Sequence, residues 1–62
     1  MNDLPESERQ VYERLSSVPI HIDEIIRDLN LSARDVSVAL TMLELKGLAE
    51  NMGAMQYCHP RH

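Results

Sequence analysis

Apolar residues recur at helical spacing in three stretches of this chain, and helix-breaking residues separate the stretches. In the first, Leu4, Val11, Leu15 and Val18 form one stripe, with Tyr12 beside it. Asp3 is placed to cap this helix. Pro5 suits its first turn, where a missing N–H costs nothing. Glu6 and Glu8 favour the positive end of the helix dipole. The pattern predicts a helix from about Pro5 to Ser17, preceded by a frayed Met1–Leu4. Pro19 then pushes Val18 out of the helical region and leaves Ile20-His21 as a short edge strand.

The second stretch carries the clearest periodicity. Ile22, Ile25, Ile26 and Leu29 fall at i, i+3, i+4 and i+7, with Asp23, Glu24, Arg27 and Asp28 on the wet side. Asn30 tolerates the left-handed conformation and ends this helix. Leu31 plugs the turn, and Ser32 starts the third and longest helix, Ser32 to Gly47. Ser32 with Asp35 three residues on is a variant of the capping box. Val36, Ala39, Leu40 and Leu43 give the core stripe, and Gly47 stands where a left-handed C-cap belongs. An Asn-Leu-Ser turn between two amphipathic helices is what a helix-turn-helix requires.

After Gly47 the period changes. Leu48–Asn51 and Met55–Cys58 read as two short strands around a turn at Met52-Gly53, with Gly53 supplying a positive φ. Pro60 closes the chain. The order is helix, short strand, helix, turn, helix, hairpin. It predicts a small, mainly helical α+β fold: a winged helix-turn-helix of three helices plus a short antiparallel β-hairpin wing. One domain spans residues 1–62, with an ordered core over about 4–58 and a flexible tail over 59–62.

Length and charge narrow the function. At 62 residues there is one small core and no room for separate cofactor and substrate domains, so an enzyme is disfavoured and no cofactor is expected. Six Lys+Arg stand against ten Asp+Glu, a net charge of −4. Tight non-specific binding of a polyanion is therefore disfavoured. One cysteine, Cys58, rules out an internal disulfide and fits a reducing, cytoplasmic setting. No run approaches a membrane span, and the N-terminus lacks a signal-peptide pattern. With Tyr12 and Tyr57 as the only aromatics there is no stacking platform for single strands.

Several pieces of the chain together point to a family. They are Pro19-x-x-Ile-Asp-Glu-Ile25, Leu31-Ser-x-x-x-Val-x-x-Ala-Leu40, Leu43-Glu-Leu-Lys-Gly-Leu48 and Gly53-x-x-x-Tyr57. From about Leu4 to Tyr57 the sequence resembles the C-terminal winged-helix domain of the DNA-processing protein A (DprA/Smf) family. The resemblance implies a role in natural transformation, where the full protein binds incoming single-stranded DNA and helps load a recombinase onto it. In that family a Rossmann-like domain does this work, so the resemblance implies a large domain upstream. What carries over is an accessory module for DNA binding, partner contact or self-association. The alternative is a stand-alone winged-helix DNA-binding transcriptional regulator.

The outward face of the third helix decides between these roles. Arg34, Ser37, Thr41 and Lys46 are the candidate DNA contacts, and Arg34 alone is suited to bidentate reading of a base. Val38, Met42 and Leu45 form a second apolar stripe, a candidate surface for a protein partner, the parent domain or a second copy. Weak groove binding through the first set and an ordinary solvent-facing role for the same residues stand about equal, and the apolar stripe tips the face toward protein at least as often as DNA. The wing offers Glu50 and Asn51 where basic residues are useful, and no Lys or Arg lies between Lys46 and Arg61. Cys58, His59 and His62 have metal-ligand chemistry, with His21 as a fourth. Pro60 prevents a helix that aligns the last two histidines, so no metal site is expected. Asp23, Glu24 and Asp28 read as a solvated helix face, and neither a membrane nor a small-molecule substrate is expected as partner.

Overall fold

A computed structural model describes residues 3–61. The elements run α1 (Glu6–Arg14), β1 (Ile20–His21), α2 (Ile22–Leu29), α3 (Ala33–Leu45), β2 (Glu50–Asn51) and β3 (Gln56–Cys58). The three strands form one antiparallel sheet in the order β1-β3-β2. This is a winged helix: a three-helix core whose short strand β1 is stapled to a C-terminal hairpin.

Helix α1 departs from expectation at both ends. Its N-cap is Pro5, and no side chain caps it, so Asp3 does not take the role assigned to it. Met1, in the same segment, lies outside the described residues. The helix stops at Arg14 rather than Ser17, with Leu15 already extended at ψ 153°. The cause lies just downstream. The Ser16 hydroxyl accepts the Val18 N–H at 3.1 Å, a local bond that competes with the helix ladder, and Pro19 forbids helix at Val18. Val18 is consequently 67% exposed and leaves the predicted stripe. Leu15 stays buried, delivered by extended chain instead of helix.

Helix α2 begins directly after the strand Ile20–His21. His21 serves twice. Its backbone pairs with Gln56, and its Nδ1 accepts the Asp23 N–H at 3.0 Å as the helix N-cap. Asn30 ends the helix at φ 56°, ψ 36°, in the left-handed region. Ser32 then caps α3, its Oγ accepting the Asp35 N–H at 3.0 Å.

The end of α3 is a complete Schellman motif. The Gly47 N–H donates to the Glu44 carbonyl at 3.0 Å and the Leu48 N–H to the Leu43 carbonyl at 2.8 Å, with Gly47 at φ +74°. Val36, Ala39, Leu40 and Leu43 are all buried. They meet Val11 and Leu15 near α1 and Ile22 and Ile25 from α2, with Ala49 closing the base.

The wing is tighter and later than the sequence pattern implies. Leu48 and Ala49 precede β2, and Met55 belongs to the turn rather than to β3. Gly53, Ala54 and Met55 all have positive φ, at 86°, 53° and 60°. Two bonds across the turn hold this conformation: Met52 N–H to the Gln56 carbonyl at 2.8 Å, and Gln56 N–H to the Gly53 carbonyl at 3.0 Å. The Asn51 side chain accepts the Gly53 N–H at 2.8 Å.

The chain after Cys58, where no ordering contact was expected, is docked as far as it is described. Cys58 is fully buried. The His59 N–H donates to the Ser16 carbonyl at 2.7 Å, and its ring stacks on Tyr12 with centroids 5.1 Å apart. The Arg61 N–H donates to Glu50 Oε1 at 3.0 Å. His62 lies outside the described residues.

Candidate binding face on α3

A helix turns 3.6 residues per revolution, so the core residues of α3 fix what lies opposite them. Val36, Ala39, Leu40 and Leu43 define the buried side. The pole facing away from it carries Arg34, Val38, Thr41 and Leu45, with Ser37 and Met42 on the flanks. Val38 is 54% exposed and Leu45 76% exposed, although both are aliphatic. They are seven residues apart, nearly two turns, and stand on one line. Met42, grouped with them from sequence, is half-buried and contributes less surface.

The four candidate DNA contacts fare differently. Arg34 is exposed and makes no ion pair among the described residues. Ser37 is exposed. The Thr41 hydroxyl donates back to the Ser37 carbonyl at 3.0 Å, so its proton is occupied within the helix. Lys46 is turned away. Its Nζ lies 2.6 Å from Glu8 Oε1, and Glu8 is a buried residue on α1. This pair ties the end of α3 to α1. It removes Lys46 from the set of cations free to meet phosphate.

Ion pairs absorb most of the positive charge. Arg9 lies between Glu6 and Glu13, at 2.5 and 2.9 Å. Arg14 pairs with Asp28, and the Arg61 guanidinium lies 3.8 Å from Glu50. Among the described residues this leaves Arg27 and Arg34 as the cations without a carboxylate partner. Sequence reasoning placed Arg27 only on a wet face. Asp23 and Glu24, at i−4 and i−3 from it, make no ion pair with it.

The wing adds no positive charge. Glu50 is engaged by Arg61, Asn51 by the turn, and Asn51 Nδ2 reaches the Tyr57 hydroxyl at 3.4 Å. Partial burial raises the Tyr57 phenol above its ordinary pKa, and the negative charge of Glu44 adds to that shift. Glu44 sets its negative charge beside Tyr57, while that of Glu50 is offset by Arg61. Of the residues weighed as metal ligands, Cys58 lies in the core and the His59 ring on Tyr12, while His62 lies outside the described residues. No group of three or more His, Cys, Asp or Glu side chains suited to a metal forms among the described residues. No helix of the described residues is long and apolar enough to cross a membrane.

The family model of the DprA winged helix domain matches residues 2–55. No individual curated protein and no solved structure matches the chain.

Proposed function

The chain belongs to the DprA winged-helix domain family, and from that premise we propose that it is a non-catalytic accessory module of a DprA-like DNA-processing protein. Its work is contact with protein, in the service of DNA uptake and recombination. One observation supports this over DNA reading: the pole of α3 carries the exposed pair Val38 and Leu45. A major-groove reader needs Arg, Lys, Asn or Gln at such positions. Here Arg34 is the one such residue, and Lys46 is held by Glu8. Burying Val38 and Leu45 against a partner removes apolar surface from water, worth about 25 cal/mol per Å². A phosphate backbone offers no such gain, and a domain of net charge −4 repels it.

The test is a titration of labelled duplex DNA with the 62-residue chain at low salt, repeated at higher salt. The protein-contact reading expects no saturable binding at low salt. Saturable duplex binding that weakens with a log–log salt slope near −0.9 per phosphate, and that Arg34→Ala abolishes, overturns it.

A further inference from the structure

We propose that His21 and His59 form an acid-sensitive clasp on the β1–β3 ladder, which lets the wing and the C-terminal segment open away from the helices as pH falls. The inference is independent of what α3 binds. The ladder pairs Ile20 with Tyr57 and His21 with Gln56. It ties the wing to the helices, since the Ile22 N–H that opens α2 donates to the Met55 carbonyl at 2.9 Å. His21 is the last residue of β1, and His59 directly follows the last residue of β3. The strands are antiparallel, so the two imidazoles stand at opposite ends of this ladder.

Each ring fits its place only when neutral. His21 Nδ1 accepts the Asp23 N–H at 3.0 Å, and a ring nitrogen that carries a proton cannot accept. Protonation therefore removes the cap of α2 and sets a cation at the positive end of the helix dipole. The Asp23 carboxylate, 3.7 Å from Nδ1, opposes this, but its side chain is 76% exposed and water screens the attraction. Glu24, the other acid of that turn, makes no ion pair among the described residues, and across the ladder His21 faces the uncharged Gln56.

His59 is constrained by burial. Its Nε2 is sealed from water and has no hydrogen-bond partner, while its ring lies on Tyr12 and its N–H is bonded to the Ser16 carbonyl. An imidazolium carries a proton on both nitrogens, so the charged ring buries a donor with no acceptor. That outweighs the attraction of the Tyr12 face for a cation. The carboxylates of the packed elements are engaged elsewhere. Glu8, one turn before Tyr12 on α1, is held by Lys46, and Glu50, opposite Cys58 in β2, by Arg61.

The open clasp thus takes up protons that the closed one excludes. The closed form is favoured above the ordinary imidazole range, about pH 6.5, and loses ground as pH falls through it. If opening takes up two protons, the open fraction rises by up to about a hundredfold per pH unit; with one proton, by up to about tenfold. The packing of α1, α2 and α3 is apolar and contains no imidazole, so the helices hold while the clasp opens.

Amide hydrogen exchange of the 62-residue chain from about pH 7.5 to about pH 5.5, spanning the imidazole range and corrected for the intrinsic rate at each pH, tests this. The Ile22 and His59 N–H groups report the clasp, and those of Leu40 and Leu43 report α3. The clasp amides are expected to lose more than about tenfold in protection while the α3 amides keep theirs. His21→Asn retains a capping side chain, and His59→Phe retains a ring on Tyr12. Each is expected to leave a shallower, one-proton slope, and H21N/H59F a flat one. Clasp protection that stays level with pH in the wild type overturns the proposal without recourse to any variant. A decline shared equally by the α3 amides, or one that persists in H21N/H59F, also overturns it.

Discussion

Replacing Lys46 by Met tests the internal pair that holds α3 against α1. Glu8 is 7% exposed, and its carboxylate has Lys46 Nζ at 2.6 Å. Removing one member of a fully buried pair costs about 3–5 kcal/mol, because the other charge is left in a poor solvent. An exposed pair is worth about 0–1 kcal/mol. The Lys46 side chain is 37% exposed, so water screens part of the interaction and about 2 kcal/mol is expected for Lys46→Met. A chain of 62 residues has a total stability of about 3–9 kcal/mol, so the loss is a large fraction. In a thermal melt it lowers Tm by roughly 8–16 °C, at about 4–8 °C per kcal/mol. The reverse change, Glu8→Met, leaves a lysine whose flexible stem reaches water and places an apolar side chain in an apolar stripe. It is expected to cost under about 1 kcal/mol, and the double variant E8M/K46M to match it. The asymmetry is the point of the experiment. Equal costs for the two single variants, or a loss under about 0.5 kcal/mol for Lys46→Met, would refute burial of the Glu8 charge as the source of the coupling.

Three further outcomes follow from single contacts. Ser32→Ala loses the cap on the Asp35 N–H and is expected to cost about 1 kcal/mol in urea unfolding, with an unchanged m-value. Gly47→Ala meets no atom within 4 Å of the new Cβ, so its cost is the left-handed backbone alone, about 1–2 kcal/mol; Gly47→Asn is expected to cost less. Tyr57 has a raised pKa in the folded chain, through desolvation and then Glu44. The unfolded chain therefore gives up that proton first as pH rises. The stabilisation is complete below the unfolded phenol's pKa and is lost as pH climbs through the folded value. Chemical unfolding at a series of alkaline pH values is expected to show this decline in the wild type and a smaller one in Tyr57→Phe.

The helices and their order were legible because period and caps agree. Ser32, Asn30 and Gly47 each occupy the cap that their chemistry favours, and the Ile22–Leu29 stripe could be placed by counting. The end of α1 differs from its sequence pattern for a physical reason. Val18 completes a helical stripe on paper, yet Pro19 and the Ser16 hydroxyl take the chain out of helix before it gets there. Glu8 was readable in hindsight. Leu4, Glu8, Val11 and Leu15 fall at i, i+4, i+7 and i+11, so a carboxylate stands inside the apolar stripe and needs a partner. The partner itself lies 38 residues away in sequence, beyond the reach of any local pattern, so the sequence does not distinguish Lys46 from a cation free to meet DNA. The wing turn was blurred because Ala54 and Met55 adopt positive φ without the glycine or asparagine that signals it. The exposure of Val38 and Leu45 could be derived, since the core stripe of α3 fixes its opposite pole.

The docking of His59 bears on how the domain carries tension. A pull on the C-terminal end does not load β3 first. It meets the His59 N–H bonded to the Ser16 carbonyl and the ring seated on Tyr12, both of which anchor to the α1 side of the molecule. Nearer the end, the Arg61 N–H on Glu50 Oε1 passes part of the pull to β2. The sheet is only three strands wide and at most three residues long in any strand, too slight to bear a load by unzipping alone. A pull on this end is therefore shared between β2, through Glu50, and the α1 side, through Ser16 and Tyr12.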